Sequence, residues 1–195
     1  MRRMLIGTAI GVILALGAGP AAAQSRSRSV QGRTPTEGMW GLGGSIGAAG
    51  PSDASLQNGL DLAGNLERYL TSRVSVRGQI GASWWDIQGR NFGGTITPFF
   101  ADANIVYNWE GGAIHPFVTG GIGIYHFHAS ETGIQDRSDT EPGINGGGGI
   151  EFFFDRRTTL TGEVLYHKVG AFDSPLATFQ DGSFWRVGFG LKRYF

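Results

Sequence analysis

Three of the four histidines stand where they could do chemistry. His126 and His128 alternate onto one face of an extended segment, and His167 lies on a polar face near the same end. Imidazoles in such a pattern can ligate a transition metal. The chain has no cysteine and no carboxylate at a fixed spacing from these rings, so interfacial or loop roles are expected and no metal or cofactor is. His128-Ala129-Ser130 sets a base beside a hydroxyl, but no acidic partner can be placed, so no catalytic residue is assigned. The four-glycine run Gly146–Gly149 lies inside a strand pattern rather than between a strand and a helix, which excludes a phosphate loop. Bending and close packing of a wall explain it better.

A second group is larger. Asp61, Glu67, Arg77, Asp102, Glu151, Glu163, Arg186 and Lys192 all fall on the polar faces of alternating segments. Facing lipid they would be expensive, so they must face inward and pair. Such a set can form a gated ion path or proton relay, or a salt-bridge network that plugs an interior. Which one depends on the width of the space they share, and therefore on the elements that carry them.

Period-two patterning runs from Met39 to Phe195. In the first segment Trp40, Leu42, Ile46 and Ala48 oppose Gly41, Gly43, Ser45 and Gly47; in Asn58–Tyr69, Leu60, Leu62 and Leu66 oppose Asp61, Ala63, Asn65 and Glu67. Val74–Trp85, Thr95–Trp109, Pro116–Ala129, Gly143–Phe153, Thr158–Val169 and Ser183–Phe195 repeat the pattern. An amphipathic helix cannot produce it. Eight strands of about ten residues match an outer-membrane span. Connections near Leu70–Arg73, Glu110–His115 and Phe154–Arg157 are short, whereas Ala49–Gln57, Asp86–Gly94, Ser130–Glu141 and Gly170–Gly182 are longer and polar, the alternation of periplasmic turns with outer loops. The fold expected is all-β, an eight-stranded antiparallel up-and-down transmembrane β-barrel.

The polar faces argue against a soluble barrel or sandwich. They are dominated by Gly, Ser, Thr and Asn, where a solvated exterior would carry Lys and Glu. A narrow lumen needs small residues and a few paired charges. The composition agrees: 34 Gly in 195 residues and 16% charged, against about 25% in soluble domains. Mean hydropathy is −0.09, as expected when two opposite faces cancel. Aromatics near strand ends suggest two interfacial girdles. Trp40, Tyr69, Trp109, Phe117, Phe152, Phe153, Tyr194 and Phe195 are placed at the periplasmic end; Trp84, Trp85, Phe99, Tyr125, Phe127, Tyr166, Phe184 and Trp185 at the outer end.

The N-terminus reads as an export signal. Arg2 and Arg3 precede an apolar run from Met4 to Ala18, and Ala21-Ala22-Ala23-Gln24 offers a cleavage site after Ala23. Residues 1–23 are thus expected to be a signal peptide, 24–38 a flexible periplasmic leader and 39–195 the barrel. Loss of Arg2 and Arg3 leaves 14 basic residues against 16 acidic ones, a formal charge of −2, and nothing recommends nucleic acid as a partner.

His115-Pro116-Phe117-Val118-Thr119-Gly120-Gly121-Ile122-Gly123-Ile124-Tyr125 and the closing Trp185-Arg186-Val187-Gly188-Phe189-Gly190-Leu191-Lys192-Arg193-Tyr194-Phe195 resemble the outer-membrane β-barrel superfamily of OmpA and OmpX type. The resemblance covers roughly Met39 to Phe195. It implies an outer-membrane location among lipids including lipopolysaccharide, and an assembly machinery that reads the final strand, whose terminal signal Tyr194-Phe195 matches. A peptidoglycan-binding domain is not carried over. His128-Ala129-Ser130 is also similar to the His-x-Ser of outer-membrane lipid A deacylases, but Glu131 stands where that family has Asn. The function expected is a structural or surface-interaction barrel acting through its outer loops, whose ligand the sequence does not specify. A narrow porin is the alternative, and a lipid A-modifying enzyme stands third.

Overall fold

Alternating apolar and small residues, with β-branched side chains on the apolar face, favour extended chain throughout, and the regular elements that the computed structural model describes are all strands. It describes residues 35–52, 56–86, 94–109, 112–131, 137–155, 157–170, 172–173, 178–179 and 182–195. The expected signal peptide and leader lie outside these residues, apart from 35–38.

The strands are β1 (Trp40–Pro51), β2 (Gly59–Tyr69), β3 (Val74–Ser83), β4 (Trp85–Asp86), β5 (Gly94–Asn108), β6 (Ile114–Glu131), β7 (Arg137–Phe153), β8 (Thr158–Val169), β9 (Phe172–Asp173), β10 (Thr178–Phe179) and β11 (Phe184–Tyr194). Sequential antiparallel pairing forms the wall, with β3 and β4 sharing one position beside β5. The ring closes between first and last: β1 pairs with β11 from Gly41 opposite Tyr194 to Pro51 opposite Phe184. Eight wall positions result, and no hydrogen-bonding edge remains along the ring.

The outward face is apolar. Ile80, Ile105, Ile122, Ile124, Phe189 and Leu191 are among its exposed side chains, Ile122 reaching 68%. The inward face holds Gly, Ser, Asn and the charges. Close approach explains some of the glycine: a Cβ on Gly47 would lie 1.9 Å from the Val187 carbonyl oxygen of the adjacent strand.

Four features differ from expectation. The third strand does not run unbroken to Trp85; it is interrupted at Trp84, whose N–H donates to the Leu60 carbonyl at 3.0 Å. The wall is pressed tight there, since a Cβ on Gly59 would meet the Trp84 carbonyl oxygen at 1.4 Å. The segment Ser130–Glu141, expected to be a loop, is largely strand, because β6 continues to Glu131 and β7 begins at Arg137. Its residues are polar on both faces, so no hydropathy alternation marks it. Likewise β1 continues through Pro51, and the outer connection after β8 carries the small β9–β10 hairpin.

Candidate functional site: the filled interior

Side-chain alternation aims all eight charged residues into the barrel. Seven are buried and Glu163 is partly so. The structure divides them into two groups with Asp102 apart. Toward the outer end, Asp61 on β2 receives Arg186 of β11 through Nε at 2.9 Å and Nη2 at 2.6 Å, while Ser83 Oγ donates to the same carboxylate at 2.6 Å. A planar fork on a carboxylate is the strongest ordinary geometry for such a pair.

Further toward the periplasm lies a five-membered cluster. Glu67 accepts from Ser75 Oγ, from Arg77 Nε at 3.3 Å and from Lys192 Nζ. Arg77 Nη1 also donates to Glu163, and Lys192 Nζ to Glu151 at 2.5 Å. Each of the two cations thus bridges two carboxylates on different strands, which cross-links the wall from inside. Asp102 stands outside both groups: Asn104 Nδ2 donates to it, but it makes no ion pair among the described residues.

Aromatic layers lie at either end of the charges, and the sequence reading misplaced them. Tyr69, Trp85, Phe117, Tyr125, Phe127, Phe153, Phe184 and Tyr194 are not girdle residues; all are buried inside. At the periplasmic end Tyr194 stacks on Phe153 at 5.8 Å and meets Tyr69 edge-on, its hydroxyl donating to Glu151 at 2.8 Å. His115 packs on Phe153. At the outer end His167 stacks on Phe184 at 4.6 Å, Tyr125 Oη and His167 Nδ1 share a 2.8 Å hydrogen bond, and Trp85 packs against Phe184 and Phe127. Between the layers, Arg186 sits 4.3 Å over Phe100 and Arg77 5.1 Å over Phe117.

Parity was the signal that would have found them. Tyr194 shares its face with Lys192 and Arg186, and Phe117, Tyr125 and Phe127 share theirs with Thr119. Position near a strand end suggests a girdle, yet only the odd or even place decides which side of the wall a ring occupies. Trp40, Trp84 and Trp109 are exposed on the lipid side, and Trp185 is half-buried on that face, its ring against Gly50. Phe195 is 63% exposed whereas its neighbour Tyr194 is fully buried, so the two residues expected to act together point to opposite sides.

The polar cavity beside Ser45, Asn65, Arg77, Thr161, Glu163 and Lys192 has a volume of about 20 Å³, room for a single water. Much larger hollows of about 1090 and 860 Å³ open on the apolar outer wall, over Gly44 and Gly64, where acyl chains lie.

The histidines do not converge. His126 is outside, bonded to Thr140 Oγ1 at 2.8 Å, and His167 is inside, so the wall separates them. His128 and Ser130 share the outward face of β6, opposite Ser138 of β7; the neighbouring acids Asp139 and Glu141 occupy alternate, inward places.

A family model described as "Outer membrane protein beta-barrel domain" matches residues 11–195. No curated protein sequence matches the chain. Among solved structures, Neisserial surface protein A is similar with a TM-score of 0.61 and 11% identity, over 80% of this chain and 99% of that one. Ail, the attachment invasion locus protein of Yersinia pestis, crystallised with the heparin analogue sucrose octasulfate, gives 0.59 and 12%, over 82% and 100%. OprG from Pseudomonas aeruginosa gives 0.58 and 15%, over 84% and 98%. At these identities the likeness is one of fold.

Proposed function

The chain belongs to the outer membrane protein β-barrel family, and on that premise we propose that it is a plugged scaffold that presents its outer rim to partners outside the cell. The observation that carries this reading is the filling of the lumen: aromatic layers at both ends, with cross-strand ion pairs between them. A solute path would have to break buried pairs, each expensive to open. The β6–β7 hairpin supports the surface role. It is the longest in the wall and polar on both faces toward its tip, as an element leaving the bilayer must be.

The heparin analogue belongs to Ail. In this chain the described strands carry Asp86, Glu131, Asp139, Glu141 and Asp173 toward the outer end, which gives no reason to carry a polysulfate across.

Planar-bilayer recording of the refolded barrel tests the plug, with no stable conductance expected; a large, reproducible channel overturns it in favour of a narrow porin. Surface presentation is tested through Ser130→Cys, since the chain has no other thiol. A membrane-impermeant maleimide should label it on intact cells, and absence of label on folded protein sinks the reading. Release of acyl chains from lipid A on expression would favour an enzyme instead.

A further inference from the structure

Cations on the lipid side of a barrel are costly unless they reach an interface, so each one reports on what lies beside it. Arg68 is the last outward residue of β2, continuing the face of Leu60, Leu62 and Leu66, and its guanidinium sits 5.3 Å over the Trp40 ring of β1. It forms no ion pair among the described residues. On the other side of β1, Arg193 of β11 also points outward, with its side chain 61% exposed and Nη1 donating to Thr158 Oγ1. The carboxylate it pairs with, Asp155 at 3.7 Å, already accepts from the N–H groups of Arg157 and Thr158 and from the Thr158 hydroxyl.

Two under-neutralised guanidinium groups therefore bracket one strand. Arg68 lies opposite Trp40 and Arg193 opposite Leu42, two strand spacings across and two residues along, roughly 12 Å between their backbones. Exposed Trp40 lies between them and exposed Phe195 beside it, two residues beyond Arg193, with Arg73, Arg157 and Glu37 also exposed at this end. At the outer end the outward-facing described ions are Asp86 and Lys168, which form no such pair.

We propose that Arg68, Trp40 and Arg193 form a site for the phosphate of an anionic phospholipid in the periplasmic leaflet. Guanidinium forks match phosphate oxygens, the indole marks headgroup depth, and the excess of cations selects an anionic over a zwitterionic lipid. The site is independent of whether the lumen conducts.

Native mass spectrometry of the folded, full-length barrel released from equimolar phosphatidylglycerol and phosphatidylethanolamine tests it. Phosphatidylglycerol adducts should dominate, and R68Q and R193Q should each reduce them about five-fold, the worth of one cation near a phosphate surface. R68K, which keeps the charge but loses the fork, should fall between R68Q and the parent, and K168Q should retain all of the preference. Heat-modifiable migration reports folding, and R193Q carries the test if R68Q fails to fold. Equal retention of both lipids, an R68Q variant indistinguishable from the parent, an equal loss in K168Q, or displacement by millimolar inorganic phosphate each overturns the assignment.

Discussion

Asp61 and Arg186 flank β1 on the inner side of the wall and are joined by two hydrogen bonds of 2.9 and 2.6 Å, although 125 residues separate them in sequence. One sits on the second strand of the chain and the other on the last, so this pair stitches the barrel at its seam. Removing one partner leaves the other buried and uncompensated. Asp61→Ala should cost about 3–5 kcal/mol, whereas the double replacement Asp61→Leu with Arg186→Met should recover most of it. Urea unfolding in vesicles, followed by tryptophan fluorescence, checks this. A double variant no more stable than Asp61→Ala would show that the charges matter for something other than their mutual pairing.

The seam also depends on small residues. Gly47→Ala would push a methyl group into the Val187 carbonyl of β11, a backbone atom that cannot swing away. A loss of about 1–3 kcal/mol is expected, as for other overpacked sites. Gly44→Ala meets its nearest neighbour at an ordinary 3.7 Å, so its effect should stay within about 0.5 kcal/mol. Comparing the two variants by urea midpoint separates contact from composition.

Tyr194 and Phe195 should separate cleanly by assay. Tyr194→Phe removes the hydroxyl that donates to Glu151 and should lower the stability of the folded barrel by about 1.5–3 kcal/mol. Phe195→Ala touches only the outer face, so folded stability should barely move while insertion in cells slows. Refolding into vesicles and heat-modifiable migration from cell envelopes measure the two quantities. Equal behaviour of both variants in both assays would remove the distinction.

Asp155 offers a test in the turn between β7 and β8. The N–H of Arg157 holds its carboxyl below the usual range, helped by the Thr158 hydroxyl and N–H. A depressed carboxylate adds stability that is present above its unfolded value and is lost as pH falls through the folded one. The protection of the Arg157 and Thr158 amides, taken relative to their intrinsic exchange rates, should therefore hold at neutral pH and fall only below about pH 4, the ordinary aspartate value. Asp155→Ala should lack that protection at every pH. Loss of protection in the parent near neutrality would assign the turn to another group.

The fold was legible because each wall strand has one apolar face, and a period of two cannot be mistaken for a helical one over so many segments. Facing was legible too: parity put Asp61, Glu67, Arg77, Arg186 and Lys192 on one face of their strands and the cost of a charge in lipid said which face, and in the structure all five are buried. Girdle position was not, because Tyr125, Phe184 and Tyr194 lie near strand ends and also on the inward face, and composition cannot say which fact governs. The length of the β6–β7 hairpin was hidden for a related reason: outside the bilayer both faces are polar, so alternation carries no contrast.

By itself, then, the sequence determined that each strand has a lipid face and an inward face and which charges lie inward, since that follows from counting along one strand. Tertiary structure decided which inward residue meets which. That depends on register between strands and on closure of the ring, which brings Asp61 to Arg186 and Glu67 to Lys192 across separations that no local pattern records.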